Sequence, residues 1–486
     1  MVKKSSLLLI IIILLISLTS CAASGMNGMY DAYYPEYSGE EYLELQEKGY
    51  IETIVNNKVN VSLDSSNAGY SNLRRLIKNG NVIDPNSVNI EQMLNYFNYS
   101  YVNNSENVLN SYLELGNCPW NDESKLLSVA IKAKDYEINN NIQNNFVFLL
   151  DVSGSMYSEN KLPLMINAFK ILTDNLNDND RVSIVTYASG DQILLDGGYG
   201  YEKTKISAII SDLEASGSTA GSRGIKTAYE LAQKHFIEGG NNRVFLATDG
   251  DFNVGISSID GLEKFISEKR ETGVYLSLFG FGSGNLKSST MDTLASAGNG
   301  NYYYIDSILE AQKVFISELG GTLMTVAKDA KAQVEFNKDI VEKYRVIGYE
   351  NKILTDEEFD NNETDAGEIG AGHTTICLIE VVLKEDVVLE NDLIAKATLR
   401  YKDVLDSELD KEVVTKCERI NSELSKDFIF ASAVAEFGLL LRDSQYKGNA
   451  SYESILARVN NDTYTSDIYK KEFCDLVLMM NDRNEQ

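Results

Sequence analysis

The sequence predicts an α/β protein centred on a doubly wound, mostly parallel sheet flanked by helices, with α+β regions before and after it. Three observations carry this reading. Between residues 143 and 327, the apolar runs NFVFLLD (145–151), RVSIVTYA (181–188), RVFLATD (243–249) and VYLSLFGFG (274–282) are separated by helix-patterned segments such as LPLMINAFKILTDNL (162–176) and GIKTAYELAQKHF (224–236). Those runs are apolar nearly throughout rather than at every second residue, as in a sheet covered on both faces. On either side of this stretch the pattern changes to shorter strands mixed with helices. At 486 residues and 43% hydrophobic content the chain can bury sizeable cores, which excludes a disordered protein and suits two to four domains.

Lys3 and Lys4 precede an apolar run from Leu7 to Ile16, and Leu18-Thr19-Ser20-Cys21 follows. A charged start, a short apolar stretch and a small-residue box read as a signal peptide over residues 1–20. The run is too short to span a bilayer, which takes roughly 20 apolar residues. The box resembles a bacterial lipobox, which implies that Cys21 is the acylated first residue of the mature chain and that the protein sits on the extracytoplasmic side of the cell membrane. Two or three acyl chains, at about 0.8 kcal/mol per buried methylene, hold a protein durably at a bilayer. Residues 22–48 are rich in Gly, Tyr and acidic groups without apolar period, so 21–48 reads as a flexible tether, about 90 Å long when fully extended.

A first α+β domain is expected over 49–142, from VNVSLD (59–64), helical stretches near Asn72–Lys78 and Ile90–Phe97, SYLEL (111–115) and KLLSVAIKA (125–133). The central α/β domain takes 143–327. After it, 328–486 supplies TTICLIEVVL, DLIAKATLRYK and KEVVTKCERI, then helical stretches at 426–442, 452–459 and 465–480. Strands from both flanks are expected to pack as one sandwich with the central domain inserted between them.

The formal charge is −28, and loss of Lys3 and Lys4 leaves the mature chain more acidic still. Nucleic acid and anionic lipid head groups are therefore excluded as expected partners. Cys118, Cys377, Cys417 and Cys474 form no CxxC pair and no zinc-like spacing. Buried free thiols are the expectation, with Cys377–Cys417 the one disulfide considered.

The chemistry is carried by three loops that leave strands of the central domain. The first strand ends in Asp151-Val152-Ser153-Gly154-Ser155, with oxygen-bearing side chains at alternate positions of a strand-to-helix loop. Such loops lie at the carboxyl edge of the sheet, where open α/β folds bind ligands. Ser216–Gly221 adds Thr219, and Ala247-Thr248-Asp249-Gly250 adds Asp249. Two carboxylates and three hydroxyls at one point suit a hard divalent cation, which takes oxygen ligands and keeps some of its waters. Because hydroxyls replace most carboxylates, the cation's charge would be only partly neutralised, and it would attract an anionic oxygen.

DVSGSM, GSTAG and ATDGDFNVG together resemble the metal-ion-dependent adhesion site of von Willebrand factor type A (VWA) domains, the DxSxS, T, D pattern. The resemblance extends through GNGNY, ELGGTL and the GYENK to DAGEIGAGH region to bacterial VWA lipoproteins with extra domains at both ends. It implies a VWA fold, a site of Asp151, Ser153, Ser155, Thr219 and Asp249, and a divalent cation, Mg²⁺ first with Mn²⁺ or Ca²⁺ as alternatives. It also implies a protein or other ligand whose acidic group completes the metal's coordination. One departure stands out: where an Asp-x-Asp loop is expected at Asp64, this chain has Ser66, which puts a second metal there in doubt.

Other features read as structural. The two histidines, His235 and His373, lie in a helical run and a Gly-flanked turn, with no nucleophile motif beside them. Ser153 cannot replace the second aspartate that a phosphatase loop would need. The acidic run 356–363 lacks the spacing of a calcium loop and reads as a solvated loop, and the sole Trp, Trp120, as packing. The function expected is non-enzymatic: a lipid-anchored envelope protein for adhesion or complex assembly. The alternative is an envelope scaffold in which the metal only stabilises the VWA loops.

Overall fold

The computed structural model describes residues 39–485, apart from 136–142, 218–223, 251–257, 319–324, 386, 388–391, 405–408, 461–462 and 465. Its central part runs from strand to helix in the expected alternation. The N-terminal part before it contains β1 (Ile51–Glu52), β2 (Lys58–Ser62), α1 (Ala68–Lys78), α2 (Ile90–Asn95), β3 (Leu109–Asn117) and β4 (Lys125–Ala133). The central part contains β5 (Asn144–Asp151), α3 (Leu162–Asp174), β6 (Arg181–Tyr187), β7 (Asp191–Tyr199), α4 (Lys203–Ser211), α5 (Gly224–Lys234) and β8 (Asn241–Thr248). It continues through α6 (Ile259–Arg270), β9 (Val274–Phe281), α7 (Ser288–Ala297), β10 (Tyr302–Ile305) and α8 (Ile308–Gln312).

The central strands line up in the order β10-β9-β8-β5-β6-β7, parallel except for β7, which pairs antiparallel with β6 at the edge. Side chains alternate across the pleat of β5. Val147 and Leu149 face a core shared with Ile225 and Tyr229 of α5 and Ile266 of α6. Phe146, Phe148 and Leu150 face the other core, with Met165 and Phe169 of α3 and Ile206 of α4. This two-sided burial is why the strand is apolar at consecutive positions. The chain winds from β5 to β6 on one side and later returns to place β8 on the other, so the crevice beyond the carboxyl ends of β5 and β8 is a topological switch point.

The C-terminal part supplies β11 (Thr325–Phe336), β12 (Val341–Ile347), β13 (Ile353–Leu354), α9 (Asp356–Asp360), β14 (Gly367–Gly370), β15 (Thr374–Leu383), β16 (Ala395–Asp403) and β17 (Leu409–Cys417). Strands from before and after the central domain share both sheets of an antiparallel sandwich, ordered β1-β12-β15-β4-β3 and β13-β2-β11-β16-β17. Val61, Val129, Val334, Ile379 and Leu399, drawn from five strands of the two sheets, sit in one core. The central domain is inserted between β4 and β11, which belong to opposite sheets. Because β11 begins at Thr325, the sandwich starts three residues before the boundary expected at 328.

Helices α10 (Lys426–Leu441), α11 (Tyr452–Arg458) and α12 (Ile468–Asn484) close a further core against α1 and α2. Helix α10 is apolar around its whole circumference because it is enclosed on all sides. Its start is fixed by Ser425, which accepts from the Phe428 amide at 3.0 Å. Gly438 lets it approach α2, since a Cβ there would lie 2.5 Å from Ile90 Cγ1. Trp120 is fully buried in this core.

One guanidinium ties the three parts together. Arg74 of α1, 1% exposed, reaches Asp306 just after β10 and Glu310 of α8, the latter at 2.8 Å, and Glu472 of α12 at 3.0 Å. Tyr96 accepts from Arg74 at 2.8 Å and donates to Glu310 at 2.7 Å.

Several expectations change. The folded body begins by Gly39, not 49: Glu41 N donates to the Leu286 carbonyl at 2.9 Å, and the Glu40 carboxylate accepts from Gly284 N and from Arg75, each at 2.9 Å. The end of the expected tether is therefore docked on the loop after β9. The acidic run at 356–363 is not a plain loop, because Thr355 and Glu358 form a capping box that starts α9, with three acids at the positive end of the helix. Cys118, Cys377, Cys417 and Cys474 are buried free thiols, and burial pushes Cys118 up to about 12. His235 pairs with Asp196 at 2.6 Å, and burial pushes His373 down to about 3. Among the described residues no helix is long and apolar enough to cross a membrane. The expected signal peptide and Cys21 lie outside the described residues.

Candidate metal-binding site

At the switch point the chain leaves β5 with Asp151, whose side chain cannot continue the apolar alternation and turns into the loop. Asp151, Ser153 and Asp249 are all fully buried, and Ser155 is half-buried. Asp151 Oδ1 accepts from the Ser153 amide at 2.9 Å, an Asx-type contact that holds the loop in a turn. Its other oxygen accepts from Thr248 Oγ1 at 3.2 Å. The Ser153 and Ser155 hydroxyls lie 3.1 Å apart. Alternate spacing therefore places two hydroxyls and one carboxylate on the same side of the loop, as the sequence predicts.

The loop is laced to its neighbours through the backbone. Val152 N donates to the Tyr187 carbonyl at the end of β6 at 3.0 Å, Ser216 N to Val152 O at 2.8 Å, and Gly154 N to Gly217 O at 3.1 Å. A Cβ on Gly154 would lie 3.0 Å from that Gly217 oxygen, a tight contact that glycine avoids. Residues 216–217 thus run beside the DxSxS loop. Thr219 lies outside the described residues.

Asp249 follows β8, and Gly250 after it adopts φ +100°, a left-handed turn that glycine permits. A Cβ on Gly250 would meet Asn285 O at 2.5 Å, so the Asp249 loop rests on the 282–287 segment that also carries Glu40 and Glu41. Asp249 is not left to solvent or to an ion alone: Lys161 Nζ lies 2.7 Å from its Oδ2, with the two side chains 9% and 0% exposed.

Electrostatically the site favours a cation. Burial pushes the Asp151 carboxyl up to about 6, its hydrogen bonds from Ser153 offset part of that rise, and the Asp249 carboxylate adds to it. Two buried carboxylates close enough to disfavour each other's charge are relieved by a cation placed beside them. Burial also raises the Tyr187 hydroxyl well above its ordinary range, with Asp151 adding to the effect.

Among the described residues no group of three or more His, Cys, Asp or Glu side chains could hold a metal ion. Among the described residues, the oxygens gathered at this edge are the carboxylates of Asp151 and Asp249 and the hydroxyls of Ser153 and Ser155. That donor set, hard oxygens of low total charge, fits Mg²⁺. Asp151, Ser153, Ser155 and Asp249 would hold it, and bound there it would act as a Lewis acid for an incoming oxygen. Thr248, Lys161 and Tyr187 were missed by the sequence reading. Thr248 could have been found as a hydroxyl beside Asp249, whereas Lys161 looks like any lysine ahead of a helix.

The departure at Ser66 also has a structural counterpart. The Asp64 carboxylate pairs with Lys352 at 2.5 Å, and Ser66 Oγ donates to Asp292 at 3.2 Å. A lysine ammonium thus supplies the positive charge beside Asp64. These groups line a polar cavity of about 460 Å³ where the N-terminal, central and C-terminal parts meet.

Comparison with known proteins agrees with this architecture. Residues 145–316 match the family model of the von Willebrand factor type A domain, residues 36–128 one described as von Willebrand factor, and residues 321–482 the C-terminal region of the uncharacterized protein YfbK. The chain is 40% identical over 418 residues to the uncharacterized protein YfbK of Escherichia coli strain K12, covering 81% of this chain and 72% of that one. It is 26% identical over 197 residues to the uncharacterized protein sll0103 of Synechocystis, covering 40% of this chain and 45% of that one. A solved von Willebrand factor type A protein from Catenulispora acidiphila aligns with 16% identity and a TM-score of 0.41, over 70% of this chain and 82% of its own. The chain belongs to the YfbK family of bacterial proteins, in which a von Willebrand factor type A domain precedes a YfbK C-terminal domain.

Proposed function

We propose that this protein binds an acidic group of a partner, most simply a protein carboxylate, through a divalent cation held by Asp151, Ser153, Ser155, Thr219 and Asp249. VWA domains are in general interaction domains rather than enzymes. The observation that carries the reading is the clustering of Asp151, Ser153 and Ser155 at the switch point beside Asp249, with the Asp151 carboxyl fully buried. Mg²⁺ is the proposed ion, and Mn²⁺ or Ca²⁺ satisfies the same hard-oxygen set. Calorimetric titration of Mg²⁺ into chelator-treated, detergent-purified full chain should give saturable binding of about one ion per chain. No heat and no shift in melting temperature up to millimolar Mg²⁺, in chloride and equally with acetate present, would remove the metal from the reading.

The Lys161–Asp249 pair favours one second reading, because it satisfies Asp249 without a metal. The chain would then be an envelope scaffold whose metal only stabilises the loops, and chelator would lower its melting temperature without releasing captured envelope partners.

We further propose that the chain sits at the outer face of the cell membrane, anchored by lipid on Cys21, so that adhesion or assembly takes place in the envelope. Cells fed radiolabelled palmitate should label the wild-type chain, and a Cys21→Ser chain should carry no label and leave the membrane fraction. Equal labelling of both would overturn the anchor.

A further inference from the structure

We infer that Lys161 is a built-in counter-cation that shifts the site's affinity away from the metal alone and toward the metal together with an acidic ligand. This rests on the metal-binding reading above.

The observations are geometric. Lys161 immediately precedes α3, and its backbone is fixed at both ends of the turn: Lys161 N donates to Ser158 O at 2.9 Å, and Met165 N donates to Lys161 O at 2.8 Å. Its side chain runs beneath Gly282, where φ is +78° and a Cβ would lie 2.4 Å from Lys161 Cγ. The strand-end backbone thus leaves a slot for the methylene chain, and only glycine keeps that slot open. At the end of the slot the ammonium meets the fully buried Asp249 at 2.7 Å. The lysine is a fixed, buried charge, not a solvated one that could swing away.

The consequence follows from charge counting. Counting the described residues, with Asp151 and Asp249 ionised and Lys161 present, the pocket carries a net charge of about −1, and a divalent cation makes it about +1. An acidic ligand then restores neutrality. Without Lys161 the same pocket starts near −2, the cation neutralises it, and an incoming carboxylate meets no net attraction. In a buried site these charges are screened far less than at the surface. Lys161 therefore weakens the metal on its own and couples its retention to the partner's carboxylate. It is a positioning residue, since it touches Asp249 and not the ligand.

The test is Mg²⁺ titration of detergent-purified full chain in chloride buffer and in the same buffer with acetate as the carboxylate probe. Lys161→Met should bind Mg²⁺ at least tenfold more tightly than wild type in chloride. Acetate should tighten Mg²⁺ binding by wild type and leave the variant unchanged. Lys161→Gln, which retains a donor to Asp249 without the charge, should behave as Lys161→Met does and covers the case in which methionine does not fold. A merely structural role predicts weaker binding in both variants, and unchanged or weaker Mg²⁺ affinity in variants with wild-type circular dichroism overturns the inference. If wild type and both variants all bind no Mg²⁺, the metal-binding reading itself fails and this one with it. If only wild type fails to bind in chloride, the site stands and the counter-cation role is supported.

Discussion

Replacing Arg74 with methionine is expected to destabilise the folded chain by about 3–5 kcal/mol, the cost typical of stranding one side of a buried ion pair. Methionine fills much of the same volume, so the loss is electrostatic rather than a cavity. It leaves Asp306 and Glu310, 8% and 2% exposed, facing each other and Glu472 without the guanidinium that neutralises them. The Tyr96 hydroxyl, which bonds to both Arg74 and Glu310, keeps only its acidic partner. Because the partners come from α1, the β10–α8 turn and α12, the variant should also loosen the central domain from its flanks. Urea unfolding followed by tyrosine and tryptophan fluorescence would measure the loss, and an early phase reporting separation of the central domain is expected. Adding Glu310→Gln to Arg74→Met should recover part of the stability by removing one stranded charge. A change below about 1 kcal/mol, or further loss in the double variant, would contradict this account of the junction.

The central domain was legible because its signals are local. NFVFLLD is apolar at consecutive positions because Val147 and Phe148 face different cores, and a run of that kind has few alternative explanations. The candidate metal-binding loops carry a related signal: DVSGS and ATDG each follow a parallel strand, which brings Asp151 and Asp249 to one edge of the sheet, while Thr219 of the third motif lies outside the described residues. The sandwich is legible only as strand-like runs on both flanks, since the pairing of β2 with β11 joins Val61 to Ala332, and no local pattern states a contact across that much chain. The expected tether missed its docked end because Glu40 and Glu41 bind through a carboxylate and a backbone amide, neither of which gives an apolar period. Lys161 and Lys352 escaped notice because a lysine is ordinarily solvated. What makes each one special is a distant carboxylate, Asp249 in one case and Asp64 in the other.

Asp151→Asn is expected to abolish metal binding and, in the absence of metal, to make the protein more stable than wild type. The Asp151 carboxyl stands at about 6 in the folded protein because burial penalises its charge, whereas an unfolded Asp titrates near 3.9. A carboxyl raised in the folded state contributes stability that is fully present below the unfolded value and is lost as pH rises through about 6. At pH 7 the metal-free wild type therefore carries a penalty of order 2–3 kcal/mol from this one group. Asparagine is nearly isosteric, keeps an oxygen to accept from the Ser153 amide, and brings no charge into the buried loop. Thr248, which donates to Asp151 in the wild type, must turn its hydroxyl to accept instead, so the net gain expected is about 1–2 kcal/mol. Thermal unfolding in chelator should place the variant above wild type at pH 7, with the gap closing toward pH 5 as the wild-type carboxyl takes up its proton. Saturating Mg²⁺ at pH 7 should raise the melting temperature of wild type alone, because a ligand that binds only the native state stabilises it by mass action. A variant less stable than wild type in chelator would show that the Asp151 charge is already compensated within the fold. Mg²⁺ stabilisation that survives in the variant would place the ion elsewhere. That pair of results would be the signature of a functional site: a buried charge kept at a cost to the empty fold, with a bound ion offsetting that cost.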